Sequence, residues 1–331
     1  MPNSYPETSS DRDRWILSRR AERPTLDPRR AVASFVEEER SESGEAVPVA
    51  TVFLTNRECP WRCVMCDLWQ NTLTESVPAG AIPEQIAWAL AGIAAMGPAP
   101  REIKLYNSGS FFDPRAVPRE DHPAIARCVN SFERVMVECH PSLVGPGVLR
   151  FRDQLAGRLE VAMGLETAHP VVLEKLNKGM TLDDFARAAE FLLRHGVALR
   201  AFILVRPPFL PEQAEAQHWA RRSIDFAFDC GASVASLIPT RGGNGAMETL
   251  QALGRFSPPS LADLEAAAGY GIGLQRGRVF ADLWDLEKFS QCTACCEARR
   301  QRLQRMNLGQ QVERPVLCEA CDTPAHGPLS G

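Results

Sequence analysis

The sequence predicts an α/β fold built on a parallel sheet, and three observations carry that expectation. Short apolar, β-branched runs bounded by turn residues recur six times after residue 48, with a seventh near Val279–Leu283. Helical patterns fall between several of them, so strand and helix alternate along the chain. No glycine fingerprint of the dinucleotide type follows the first strand, and no glycine-rich phosphate loop ending in Lys-Ser or Lys-Thr occurs. Alternation with right-handed crossovers leaves an open doubly wound sheet, or a full or partial barrel. In each of these a ligand sits at the C-terminal ends of the strands.

Residues 1–47 are rich in Arg, Glu, Ser and Pro and read as a polar, partly disordered extension. One helix is expected in it, from Arg30 to Glu39, followed by a SESGEAVP linker. VATVFLT (49–55) opens the core as a buried strand, and residues 83–96 then carry helical apolar spacing that stops at Gly97 and Pro98. EIKLY (102–106), ERVMVEC (133–139) and LEVAMGLE (159–166) are the next three strands. Residues 181–196 give the clearest helix: Thr181 and Asp184 suit a capping box, Phe185, Ala188 and Leu192 form one stripe, and Gly196 stops it. ALRAFILV (198–205), a helix from about Glu212 to Asp229, and SVASLI (233–238) complete the alternation. The core so defined spans 48–290, and a Cys-rich segment, 291–331, follows it.

Composition narrows the function classes. With 45% hydrophobic and 24% charged residues the chain has an ordinary globular balance, which excludes wholesale disorder. A net charge of −4 excludes the strongly basic surface of a protein held to nucleic acid by phosphate contacts alone. The N-terminus has no apolar signal-type stretch, and the longest apolar run, Ile86–Met96, is too short to cross a bilayer. A cytoplasmic protein without membrane segments is the expectation.

The 11 cysteines are an odd count that suits a disulfide framework poorly. Cys128, Cys139 and Cys230 stand alone and read as small buried hydrophobes. Cys59, Cys63 and Cys66 lie on the loop that leaves the first core strand, in the spacing CxxxCxxC. Thiolates suit iron–sulfur clusters and zinc, and a structural zinc site normally closes with four ligands. An iron–sulfur cube held by three protein thiolates, in contrast, leaves one iron free. At the other strand ends stand Asn107-Ser108-Gly109-Ser110, a small polar turn, and Glu166, which is costly at a barrel mouth unless paired. Glu138, His140, Lys178 and Arg200 are weaker candidates.

The CxxxCxxC loop after the first strand of a βα-repeat chain resembles the radical S-adenosylmethionine superfamily. LTNRECPWRCVMCDLW, KLYNSGSFFDP, MGLET, LNKGMT and ILVRPPFLPE together resemble its elongator-catalytic-subunit-like branch, and most of all the radical lyase group of archaeosine biosynthesis. That resemblance implies a partial (β/α)6 TIM-type barrel with an N-terminal extension and a small C-terminal Cys-rich tail. It implies a [4Fe–4S] cluster on Cys59, Cys63 and Cys66, with S-adenosyl-L-methionine chelating the free iron and cleaved to a 5′-deoxyadenosyl radical that abstracts hydrogen from substrate. Met65, Asn107, Ser108, Gly109, Ser110, Glu166 and Arg200 become candidate cofactor contacts. A reductant such as flavodoxin or ferredoxin, and tRNA as substrate, follow from the same resemblance. The acidic residue that often closes the glycine-rich turn in the superfamily is missing here, and Met65 stands where an aromatic is usual.

In the tail, Cys292-x2-Cys295 and Cys318-x2-Cys321 are paired knuckles, for which zinc is the default and an auxiliary [4Fe–4S] cluster the alternative, with Cys296 as a spare ligand. Arg299, Arg300, Arg302 and Arg305 read as a solvated helix face. The competing function class is a non-catalytic zinc- or iron–sulfur-binding module that binds RNA.

Overall fold

A computed structural model describes residues 4–322 except 96 and 98. The expected stop of the 83–96 helix at its Met96–Pro98 end, and the last residues of the 291–331 segment, therefore lie partly outside the described residues. Strands β1 (Ala33–Arg40), β2 (Ala46–Phe53), β3 (Glu102–Tyr106), β4 (Arg134–Glu138), β5 (Arg158–Glu166), β6 (Ala198–Val205), β7 (Val234–Pro239) and β8 (Arg278–Ala281) form one sheet in sequential order. From β2 to β8 every neighbouring pair is parallel, and only β1 runs antiparallel, against β2. The expected partial β/α barrel is what the chain builds. Helices Ala81–Ala94, Leu182–Arg194 and Gln213–Asp229 lie near the expected bounds, the second with both halves of the Thr181–Asp184 capping box made.

One expectation fails. Residues 30–39 are not a helix: from Ala33 the chain forms strand β1, and the supposed linker supplies its hairpin turn and the start of β2, with the Ser41 N–H on the Glu45 carbonyl and Gly44 at φ 89°. Strand geometry wins because it points Glu37 and Glu39 into the lumen, where Lys104 and Arg200 receive them. Helix Ser9–Leu17 is likewise ordered, with Trp15 and Ile16 buried.

The two faces of the sheet differ. Val52, Leu105, Val137, Ile203 and Leu237 point outward and are fully buried under the helices, each worth about 1.5–3 kcal/mol. The N-terminal half of the lumen holds charges instead. Arg134 pairs with Glu102 at 3.0 Å and Glu160 at 2.7 Å, Arg200 pairs with Glu160 at 2.6 Å and with Glu39, and Lys104 joins Glu37 at 2.9 Å and Glu39. Such buried groups persist only because each is paired.

Among the described residues no ladder joins β8 to β1. Helix Thr293–Gly309 lies against both strands and fills the seam. The Asn307 amide exchanges two hydrogen bonds of 2.8 Å with the backbone of Ala281, and the Gln310 amide makes bonds of 2.7 and 2.8 Å with Val279. Two side-chain amides thus stand in for a missing strand and protect the β8 edge. No helix among the described residues is long and apolar enough to cross a membrane.

Candidate metal and cofactor site

The loop after β2 carries Cys59, Cys63 and Cys66 to the C-terminal mouth of the barrel. Side chains from distant segments hold its backbone carbonyls. The Asn177 amide donates to Arg62 at 3.0 Å, and the Asn244 amide donates to Val64 at 2.8 Å and Cys66 at 3.1 Å. The Val64 N–H closes on the Leu176 carbonyl at 3.0 Å. Both asparagines are buried. Neither Asn177 nor Asn244 stood out in the sequence, because each gains meaning only from a carbonyl more than a hundred residues away.

The N-terminal segment packs over the same loop. Arg20 and Arg23 bind Glu58, at 2.7 and 2.5 Å, and Arg62 adds a third cation at 3.2 Å. Gly245, at φ 80°, leaves space for the Arg19 carbonyl, which a Cβ would approach to 2.0 Å. Burial pushes all three thiols up, Cys63 well above the ordinary range and Cys66 to about 12. Thiolates in this loop are therefore stable only beside a compensating cation. Lys178 supplies one positive charge near Cys63.

Three strand ends turn at positive φ to face the mouth: Ser108 after β3, Glu166 closing β5, and Arg206 after β6. Glu166 pairs with Lys178, and Gly164 makes room for them, since a Cβ there would sit 2.1 Å from both Glu166 Oε1 and Lys178 Nζ. Burial pulls the Lys178 ammonium down, but Glu166 and Cys63 outweigh it and keep it charged. Trp61 stacks on His140 with centroids 3.6 Å apart, and a His140 ring nitrogen meets the Lys178 carbonyl at 3.0 Å.

The Asn107–Ser110 turn lies against the cysteine loop. Gly109 permits the close approach, since an added Cβ would lie 3.1 Å from Cys59 Cβ, tighter than an ordinary contact. Glu138 organises the turn, its Oε2 accepting the N–H groups of Asn107 at 2.7 Å and Ser108 at 3.0 Å. Burial nevertheless raises the Glu138 carboxyl to about 7, with these N–H groups opposing. Both polar atoms of the Asn107 side chain are buried without a protein partner. An orphaned amide, a closely packed glycine and three half-buried thiols on one loop fit an iron–sulfur cube with a polar ligand beside it.

The other candidates separate by position. The Ser110 hydroxyl is engaged, 3.6 Å from Cys139 Sγ and 3.3 Å from the His140 N–H. Met65 packs in the small cluster around Trp15. Arg200 is not at the mouth: it sits low on β6, in register with Ala162 and Val234, and its guanidinium is spent on Glu39 and Glu160.

At the far end of the chain the sulfurs of Cys292, Cys295, Cys318 and Cys321 all lie within 4.8 Å of one another. The Cys292–Cys318 and Cys295–Cys321 separations are 3.8 and 3.6 Å. Four thiolates about 2.3 Å from one ion define a tetrahedron with edges of about 3.8 Å, whereas the bulk of a four-iron cube holds its ligands farther apart. The quartet thus has single-ion dimensions. Cys292 caps the helix Thr293–Gly309, and N–H groups, that of Cys295 foremost, draw its thiol down to about 7. Cys296 packs against the main core, away from the quartet.

No family model matches the chain. It is 24% identical over 302 residues to an uncharacterized protein of Methanocaldococcus jannaschii, covering 82% of this chain and 79% of that one. It is 31% identical to the archaeosine synthase subunit beta of Methanosarcina acetivorans, over 48% of this chain and only 47% of the relative. In fold it is similar to Elp3 of Methanocaldococcus infernus, with a TM-score of 0.52 at 13% identity, covering 68% of this chain and 59% of that one. Methylornithine synthase gives 0.50 at 12% identity, covering 81% and 71%. A half-barrel of this topology and a CxxxCxxC loop leaving its first parallel strand occur together in a chain that is similar in fold to Elp3 and methylornithine synthase and, over half its length, similar in sequence to archaeosine synthase subunit beta.

Proposed function

We propose that the protein is a radical S-adenosylmethionine enzyme whose [4Fe–4S] cluster is held by Cys59, Cys63 and Cys66. The observation that carries this is the three-cysteine loop, locked by Asn177 and Asn244 beside a turn whose Asn107 amide lacks a protein partner. When bound, the cluster and S-adenosylmethionine supply a 5′-deoxyadenosyl radical that removes hydrogen from substrate. The chain's own residues bind and orient. Asn107, Ser108 and Gly109 face the cofactor's polar end, and Glu138 fixes their turn. The Lys178–Glu166 pair sets the charge beside Cys63, and the Tyr5–Trp15 segment excludes water from the loop side.

A tRNA nucleoside is the proposed substrate class, supported by the Methanosarcina acetivorans relative. An electron donor of flavodoxin or ferredoxin type and a cytoplasmic setting, in keeping with an odd count of 11 cysteines, belong to the same reading. At Cys292, Cys295, Cys318 and Cys321 we propose zinc in a structural role, on the sulfur separations.

Protein reconstituted without oxygen is expected to hold about four core irons and to release 5′-deoxyadenosine under reductant. Triple Cys59/Cys63/Cys66→Ala protein that kept both the iron and the product would refute the assignment.

A further inference from the structure

Three guanidinium groups converge on one carboxylate beside the cysteine loop. Glu58, the residue before Cys59, meets Arg20 at 2.7 Å, Arg23 at 2.5 Å and Arg62 at 3.2 Å. Among the described residues no other carboxylate is in ion-pair contact with any of the three, so two positive charges are left over. These charges are not out in solvent: the Arg20 side chain is 9% exposed, and those of Arg23 and Arg62 are half-buried. A clamp that merely tied the N-terminal segment down would need one cation for one carboxylate. Surplus charge in such a place is costly unless a further anion stands beside it.

The other partners of the three arginines are neutral. Arg20 and Arg23 lie over the Trp69 ring at 4.8 and 5.8 Å, and Arg23 donates to the Thr72 carbonyl at 3.0 Å. Arg62 donates to the carbonyls of Cys59 at 2.7 Å and Trp61 at 3.1 Å. The Arg20 Nε is buried and has no hydrogen-bond partner. Its place is fixed from both sides. Trp15 and Ile16 are buried in one cluster with Val64 of the cysteine loop, the Arg19 guanidinium lies over Trp15 at 3.6 Å, and the Arg19 carbonyl takes the space that Gly245 leaves. The Arg20 charge also reaches Cys66, whose thiol it draws down against burial.

We propose that Arg20 and Arg23 are positioning residues for the reductive step, their surplus charge stabilising the reduced form of a cluster on Cys59, Cys63 and Cys66. The inference rests on the radical-enzyme reading of this loop. In that step a low-potential donor of flavodoxin or ferredoxin type gives up one electron, and the cluster gains one negative charge. No bond of the protein forms or breaks. Net charge and hydrogen bonds at the sulfurs set such potentials, and cations beside them favour the more negative state. Arg20, the more deeply buried, acts through the lower dielectric and does more. Arg23, nearer solvent, is screened and does less. The N-terminal segment thereby becomes part of the redox centre although it holds no cysteine.

Potentiometric titration of full-length, reconstituted protein, followed by electron paramagnetic resonance of the reduced cluster, tests this. Arg20→Gln should lower the equilibrium constant for reduction about tenfold, a move of about 59 mV to more negative potential, and Arg23→Gln about threefold. Arg20→Lys keeps the charge and should match the parent. So should Arg14→Gln, the same loss of charge at a side chain 73% exposed on the same segment. Arg20→Gln protein with full iron and the parent's constant would overturn the inference, as would an equal fall in Arg20→Lys or Arg14→Gln. If Arg20→Gln takes up no iron, Arg23→Gln decides: a lowered constant upholds the inference and an unchanged one overturns it. Parent protein that forms no four-iron cluster would defeat the radical-enzyme reading, and the inference with it, whereas every other outcome leaves that reading standing.

Discussion

The two cysteine groups use the same ligand atom in opposite ways. The trio at the mouth is positioned by the protein: Asn177, Asn244 and the Leu176 carbonyl hold its loop, and burial makes its thiols weak acids. The quartet in the tail lies within 4.8 Å on a segment with little core of its own, and a helix N-terminus acidifies Cys292. The first arrangement keeps three thiols on one loop beside a polar turn. The second gathers four sulfurs within reach of a single ion. The lesson is that spacing in sequence names the ligands, while separation in space names the metal.

The comparison breaks most visibly if the groups are exchanged in their effects. Replacing Cys59, Cys63 and Cys66 by Ala should abolish core iron and leave tail zinc unchanged, whereas Cys318→Ser should do the reverse, both read by metal analysis. Zinc loss should also loosen the helix Thr293–Gly309, so hydrogen exchange at Val279 and Ala281 should rise while β3 to β6 stay protected.

Smaller changes sharpen it. Asn244→Ala orphans the Val64 and Cys66 carbonyls and the Met247 N–H, at about 1–3 kcal/mol per buried group, and should lower iron loading. Asn307→Ala orphans only the two backbone groups of Ala281, so denaturation should show a smaller loss, with iron loading intact.

Glu138 gives a pH test of the turn beside the trio. Its carboxyl sits near 7 in the folded chain, so between the ordinary carboxylate range and 7 the folded state holds a proton that the unfolded state has released. Stability should fall as pH rises through that window, and Glu138→Gln should flatten the fall. Gly92→Ala, on an open helix face with nothing within 4 Å, is the control and should stabilise by about 0.5–1 kcal/mol without touching either metal.

Much of this was legible in the sequence. The parallel strands were readable because they are buried on one face by helices and spell apolar runs, and the thiol loop was readable because its spacing is local. Strand β1 was not. Phe35, Glu37 and Glu39 face the lumen, an alternation that reads as helical charge until Lys104 and Arg200 are known to stand opposite. The same long-range pairing moves Arg200 from the mouth to the floor. Asn177 and Asn244 were invisible for a related reason: an amide that holds a distant carbonyl leaves no local pattern. The choice between zinc and a second cluster stayed open in the tail, because paired CxxC knuckles serve both and only sulfur separations distinguish them.

The central claim is that the trio leaves one iron open to the cofactor. Electron paramagnetic resonance of the reduced cluster, recorded with and without S-adenosylmethionine, tests it directly. The account predicts that the signal shifts when the nucleotide is added. An identical spectrum in both samples, from protein with a full iron complement, would contradict it.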